Sequence, residues 1–281
     1  MLPTPAMLKT RVITALFLLA GLLGAVFFLP ALGWLAFVSI VCALAAAEWG
    51  GMVGFSAGPR RAYAALLGLL CLACGMVAGL HRDDTVAPFG LVPLYGASAL
   101  FWIACVPFWL RKRWVMPGNR TAALVGLVLL VPPSLAMAHL RLPSPWLLLG
   151  VMAAVWMADI SAYFTGRAFG KRKLAPNISP GKSWEGAYGA LVGVVIYGLI
   201  CIGSVGHGLL DGPRGPIAVL ALAVFTAVSI IGDLFESMLK RQAGIKDSGT
   251  LLPGHGGILD RIDSLTSTLP LAGLVALWLA R

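Results

Sequence analysis

The side chains able to do chemistry are concentrated in residues 237–264, SMLKRQAGIKDSGTLLPGHGGILDRIDS, which hold Lys240, Arg241, Lys246, Arg261, Asp247, Asp260 and Asp263 around a glycine-rich turn. Asp233, Glu236, Ser237 and Lys240 recur at offsets of three, four and seven, which puts them on one stripe of a helix. Asp260 and Asp263 are three apart, so both carboxylates point the same way as a second helix begins. Asp233, Asp247, Asp260 and Asp263 fall within 31 residues with no histidine or thiolate cluster beside them. Hard oxygen donors of this kind suit Mg²⁺, or Mn²⁺, rather than zinc, and a monovalent cation is left open. The competing reading is mutual ion pairing with Lys240, Arg241 and Arg261.

Mg²⁺ is commonly held by one or two carboxylates together with substrate phosphates, so phosphate chemistry follows from the acids. Lys240, Arg241, Lys246 and Arg261 would then neutralise phosphates, Arg by a two-pronged grip and Lys as a point charge. Plain topogenic charge is the alternative for each. Pro253-Gly254-His255-Gly256-Gly257 reads as a turn whose glycines allow positive φ and close backbone approach, as a phosphate cradle requires. His255 would donate to a phosphate or a carboxylate, or serve the turn itself.

A second polar segment, Ser179-Pro180-Gly181-Lys182-Ser183-Trp184-Glu185, contains Gly-Lys-Ser. It is not a P-loop, because the leading glycine would fall at position 176, which is Pro176, and no strand precedes it. Ser179, Lys182 and Ser183 remain candidate nucleotide or phosphate contacts. Glu185 is either a site residue or an acid favouring a helix N-terminus. Asp159 and Tyr163, four apart on one helix face, add a further carboxylate, as a remote member of the site or as the partner of a basic residue on another helix.

The rest of the chain must position these groups from within a membrane. Of 281 residues, 59% are hydrophobic and 11% charged, with a mean hydropathy of +0.90. Soluble domains carry about 25% charged residues. Apolar runs at 12–29, 32–49, 62–80, 91–110, 122–140, 146–164, 186–205, 217–235 and 265–280 predict an all-α polytopic membrane protein of about nine transmembrane helices. The first run is read as an uncleaved helix rather than a signal peptide, because another span follows almost at once. With the N-terminus cytosolic and the C-terminus outside, only Arg82, Arg141, Arg214 and Arg281 lie outside. The other 17 of the 21 Lys and Arg residues, among them Lys9 and Arg11, lie inside.

The net charge of +10 is spread over short loops rather than gathered on a soluble module, which excludes a nucleic-acid partner. Cys42, Cys71, Cys74, Cys105 and Cys201 lie in apolar stretches and read as packing residues. One domain, 1–281, is expected, with 1–145 mainly scaffold spans and 146–281 carrying the catalytic segments. Eight of the eleven acids lie in that second part, and of these only Asp211, like Glu48, Asp83 and Asp84 elsewhere, reads as an ordinary loop or span-end residue. The two polar loops are separated by two spans, so they emerge on one face and can meet.

The ungapped pattern Ser237-x-x-Lys240-Arg241-x4-Lys246-Asp247-x-Gly249-x2-Leu252-Pro253-Gly254-His255-Gly256-Gly257-x-x-Asp260-Arg261-x-Asp263-Ser264 resembles the signature of the phosphatidate cytidylyltransferases, also called CDP-diacylglycerol synthases. Trp156-x-x-Asp159-x-x-Ala162-Tyr163 and Ser179-Pro180-x-Lys182-Ser183-x-Glu185-Gly186 resemble further segments of that family, with Gly181 where many relatives carry a second lysine. The resemblance implies transfer of the cytidylyl group from CTP to phosphatidate, Mg²⁺ at positions matching Asp233, Asp247, Asp260 and Asp263, and a site on the cytosolic face of a bacterial inner membrane. It leaves a homodimer open. Membrane lipid surrounds such a chain, and phosphatidate would enter sideways between helices. A transporter would show inverted repeats and interrupted helices near the midplane in both halves, and neither is legible here. The Asp-Gly-x2-Ala-Arg-x8-Gly-x3-Asp-x3-Asp signature of CDP-alcohol phosphotransferases is absent.

Overall fold

In lipid a backbone N–H or C=O must find its partner within its own segment, so the apolar runs become helices. The computed structural model describes the backbone of residues 5–83, 88–205 and 210–280, and the side chains of 12–83, 88–204 and 210–280. Asp84 and Arg281, and the side chains of Lys9 and Arg11, lie outside the described residues.

The chain runs through α1 (Pro5–Phe28), α2 (Ala31–Met52) and α3 (Ala57–Val77), then a broken span made of a 3₁₀ turn (Phe89–Leu91), α4 (Val92–Leu100), a π turn (Phe101–Cys105) and α5 (Val106–Lys112). It continues through α6 (Asn119–Arg141), α7 (Pro145–Phe169), a hairpin of β1 (Lys173–Ala175) and β2 (Ser179–Ser183), α8 (Trp184–Val205), α9 (Arg214–Gln242) and α10 (Leu259–Leu279). Among the described residues eight spans are long and apolar enough to cross a membrane, counting Phe89–Lys112 as one, and α1 adds the apolar stretch Val12–Phe28. Apolar side chains such as Phe28 and Val77 point away from the protein, as lipid-facing residues do.

Two helices extend past their apolar runs, and both extensions carry the polar stripes. Twenty-nine residues make α9 about 44 Å long at 1.5 Å per residue, more than a hydrocarbon core of about 30 Å. Its last turns present Asp233, Glu236, Ser237, Lys240 and Arg241. Helix α10 starts at Leu259 rather than at the apolar run, so Asp260 and Asp263 lie in its first turns.

Packing places α10 in the middle, against α9, α6 and α4. Its Ser and Thr hydroxyls are spent on backbone carbonyls: Ser267 Oγ donates to Val228 O at 2.9 Å, Ser264 Oγ to Ser229 O at 3.2 Å and Thr268 Oγ1 to Ser264 O at 2.8 Å. Small residues let backbones approach where these helices cross. Gly273 lies under the Tyr95 ring of α4, and Gly232 lies against Ser267 and the Asp263 carbonyl. On the other flank, Gly189 and Gly193 of α8 take Thr165 and Ser161 of α7 into the spaces their missing side chains leave. At one end, Phe235 is surrounded edge-on by Phe101, Trp102 and Trp109. At the opposite end, buried Arg141 donates to Val26 O at 2.7 Å and to Leu29 O, and stacks over Trp34, closing the C-terminal end of α1.

The two polar loops do emerge at one end, together with the C-terminal end of α2. Thr14 Oγ1 donates to Pro253 O at 3.1 Å and Gln242 Nε2 to Trp114 O at 3.0 Å, tying α1 and the end of α5 to that same end. The segment around Gly181-Lys182-Ser183, read from the sequence as having no strand before it, is in fact half of a hairpin. It forms the antiparallel pair Lys173↔Ser183 and Ala175↔Ser179, too short for a period-2 pattern to announce it.

Candidate active site

Lys182 is set by β2 at the mouth of a cavity of about 480 Å³ between α7, α8 and α9. Ala158, Ala162, Ala187 and Ala190 leave the space, and Asp159, Tyr163, Arg167, Ser179, Ser183 and Asp233 line it with polar groups. Lys182 Nζ pairs with Asp233 Oδ2, while Ser237 Oγ donates to Asp233 Oδ1 at 3.1 Å. Asp159 lines the same cavity, and Asp233, Asp159 and Lys182 are among the charged groups within electrostatic reach of Asp263. Asp159 is therefore not a remote residue. Asp159 and Asp233 thus share a partly apolar space with two cationic side chains, Lys182 and Arg167.

A second group forms around Lys240. Its Nζ lies 2.6 Å from Asp260 Oδ1 and 3.0 Å from Glu236 Oε1, with the latter contact not aligned as a hydrogen bond. Asp260 Oδ2 accepts from Ser248 N (2.8 Å), Ser248 Oγ (3.0 Å) and Gly257 N (2.8 Å). The ammonium of Lys240 thus lies between two carboxylates, the ion-paired arrangement that stood as the competing reading. Asp260 is likewise surrounded by four protein donors, so metal ligation there requires it to give one of them up.

The glycine-rich turn forms a second cavity, of about 530 Å³, lined by Lys246, Asp247, Thr250, Pro253, His255 and Arg261 among others. The turn closes through Leu252 N to Gly256 O and His255 N to Leu252 O, both 2.9 Å. Gly254 and Gly256 have φ of 74° and 83°, the left-handed region that favours glycine. Gly257 is needed for another reason: a Cβ there would collide with Glu48 Oε2 and Ser248 Oγ. Among the described residues His255 Nδ1 finds no hydrogen-bond partner, although it is buried. Among the described residues no ion pair engages Lys246, Arg241 or Arg261, and all three are exposed.

Two residues read as substrate contacts have structural partners. Glu185 accepts from Lys171 N (3.1 Å), Arg172 N (3.2 Å) and Arg172 Nε (3.3 Å), clamping the start of the hairpin. Buried Ser183 accepts from Gly186 N at 3.2 Å, capping the first turn of α8. Sequence reasoning also passed over Glu48. It sits near the end of α2 yet is buried against the second loop, where it accepts from Ser248 Oγ (3.0 Å), Ile258 N (3.0 Å) and Leu259 N (2.9 Å). The signal was available: an acid following a long apolar run is a functional candidate by default.

Among the described residues no three His, Cys, Asp or Glu side chains form a ready-made metal cage. Asp233 and Asp263 nevertheless fit the way Mg²⁺ is bound, by one or two carboxylates completed by substrate phosphates. Among the described residues the half-buried Asp263 carboxylate accepts one hydrogen bond, from the Ser264 amide of its own turn at 2.7 Å.

A multi-pass helical membrane protein with acidic and basic side chains gathered around two cavities at one end is the class this fold and site define. The chain belongs to the cytidylyltransferase family, whose profile matches residues 9–278. It is 43% identical over 280 residues to the phosphatidate cytidylyltransferase of Pseudomonas aeruginosa, covering 98% of each chain. Shorter matches join it to the proteins of the same name from Haemophilus influenzae, 55% identical over 126 residues (44% of this chain, 43% of the relative), and Thermotoga maritima, 44% over 132 residues (44% and 47%).

Proposed function

We propose that this chain transfers the cytidylyl group of CTP to phosphatidate, giving CDP-diacylglycerol and pyrophosphate. The observation that carries the reading is the placement of two cavities lined by basic side chains at one end of the bundle, within a chain alike over nearly its full length to a phosphatidate cytidylyltransferase. One cavity is walled by the spans α7, α8 and α9, and suits the phosphate of a lipid that arrives sideways. The other is built from loop residues, and its Lys246, His255 and Arg261 suit the phosphates of a water-soluble nucleotide.

In the reaction an oxygen of the phosphatidate monoester attacks the α-phosphorus of CTP, and the bond from that phosphorus to the β-phosphate oxygen breaks. The attacking group already carries about −1.5 to −2 charge near neutral pH, so no general base is required. The obstacle is repulsion between two polyanions. Lys182 and Arg167 would neutralise the lipid phosphate, and Lys246 and Arg261 the nucleotide, aligning attacking and leaving oxygens. Asp233 and Asp263 would hold Mg²⁺, with Asp247 and Asp260 beside them. The chemistry such an ion supplies when bound is charge screening and stabilisation of the leaving pyrophosphate. The basic loops at the site end favour a cytosolic face, in a bacterial inner membrane.

Purified protein incubated with CTP labelled at the α-phosphate and with phosphatidate should yield label in a lipid extract together with free pyrophosphate, and only when Mg²⁺ or Mn²⁺ is supplied. Label that stays water-soluble under all conditions refutes the reading.

A further inference from the structure

We propose that Glu48 is a positioning residue for the nucleotide: one carboxylate from the N-terminal half holds both ends of the loop 249–257 and so fixes the spacing of the basic groups around it. At the first end, Ser248 Oγ donates to Glu48 Oε2 at 3.0 Å. At the other, Ile258 N donates to Oε1 at 3.0 Å and Leu259 N to Oε2 at 2.9 Å, two of the backbone donors that a helix N-terminus leaves unmatched. The loop between carries His255, and Lys246 and Arg261 flank it, so the distance between its ends sets where the three cationic or donor groups stand.

The sequence of the loop is fitted to this acid. A Cβ at Gly249 would lie 2.5 Å from Glu48 Oε1, and one at Gly257 would collide with Oε2. The bounding glycines are thus places where the carboxylate touches backbone, and neither has the positive φ that explains Gly254 and Gly256. Ser248 extends the device. Its hydroxyl lies 3.0 Å from both Glu48 Oε2 and Asp260 Oδ2, and its single proton serves only one at a time. Glu48 is in this way connected to Asp260 and, through it, to Lys240. No reacting atom need touch Glu48 for its loss to be felt.

The inference rests on the cytidylyl-transfer reading, and its test separates the two. Glu48→Gln keeps the size of the side chain but turns one acceptor oxygen into a donor facing an N–H group. In folded, detergent-purified protein, kcat/KM for CTP should fall about tenfold or more as charge-assisted hydrogen bonds are lost, with KM for phosphatidate moving far less. Glu48→Gln within twofold of wild type for CTP overturns the inference, and so does a variant that is less stable while its folded fraction keeps wild-type kcat and KM. If Glu48→Gln does not fold, Ser248→Ala decides: a selective loss of CTP use supports the inference, and wild-type kinetics overturn it. An inactive wild-type protein defeats the functional reading instead.

Discussion

Replacing Lys240 by methionine tests whether this side chain is an ion-pair hub or a phosphate contact. Its ammonium lies 2.6 Å from Asp260 and 3.0 Å from Glu236, and the lysine, aspartate and glutamate side chains are only 14%, 4% and 6% exposed. At an effective dielectric constant of about 20, each contact carries about 5–6 kcal/mol of Coulomb attraction, most of it offset by taking the groups out of water. Removing the cation alone leaves that desolvation penalty on two carboxylates. The expected net loss is about 3–5 kcal/mol of stability, seen as a lower thermal midpoint in detergent without CTP or metal. Adding Glu236→Gln to the Lys240→Met protein should recover part of the loss, because it neutralises one of the stranded charges. A Lys240→Met protein that melts within about 2 °C of wild type while its KM for CTP rises would refute the argument and return Lys240 to the phosphates.

Lys246→Ala should do the reverse, leaving the thermal midpoint unchanged and raising KM for CTP by about tenfold, the value of one charge-assisted contact; steady-state kinetics with both substrates check it. Asp233→Asn should lower turnover by about a hundredfold or more and raise the Mg²⁺ concentration needed for half-maximal rate, and an unchanged Mg²⁺ titration would remove Asp233 from the metal. Gly193→Leu should separate α7 from α8 where Ser161 now fits, destabilising the protein by about 1–3 kcal/mol, as read from thermal unfolding.

The spans were legible because an apolar run of helical length has few alternatives in lipid, and the stripe on α9 was legible because Asp233, Glu236, Ser237 and Lys240 share one helix and therefore one period. What each group pairs with was not. Periodicity places Lys240 and Asp260 on faces of their own helices, but only the approach of α9 to α10 decides that they meet at 2.6 Å. Glu48 and Ser248 are 200 positions apart, and no local pattern connects them. Glu185 fitted two readings equally well until the hairpin brought the Arg172 amide to its carboxylate. The π turn at Phe101–Cys105 leaves an apolar run apolar, so hydropathy passes over it.

The helix that packs against α4, α6 and α9 follows all three in the chain. Those three therefore reach the bilayer before the segment that comes to lie against them, and their facing surfaces stay in contact with lipid until Leu259–Leu279 is inserted. The same segment brings Asp260 and Asp263. Bundle packing and the supply of two of the site's acids are thus completed by one insertion step, and a nascent chain that has not yet made it holds neither.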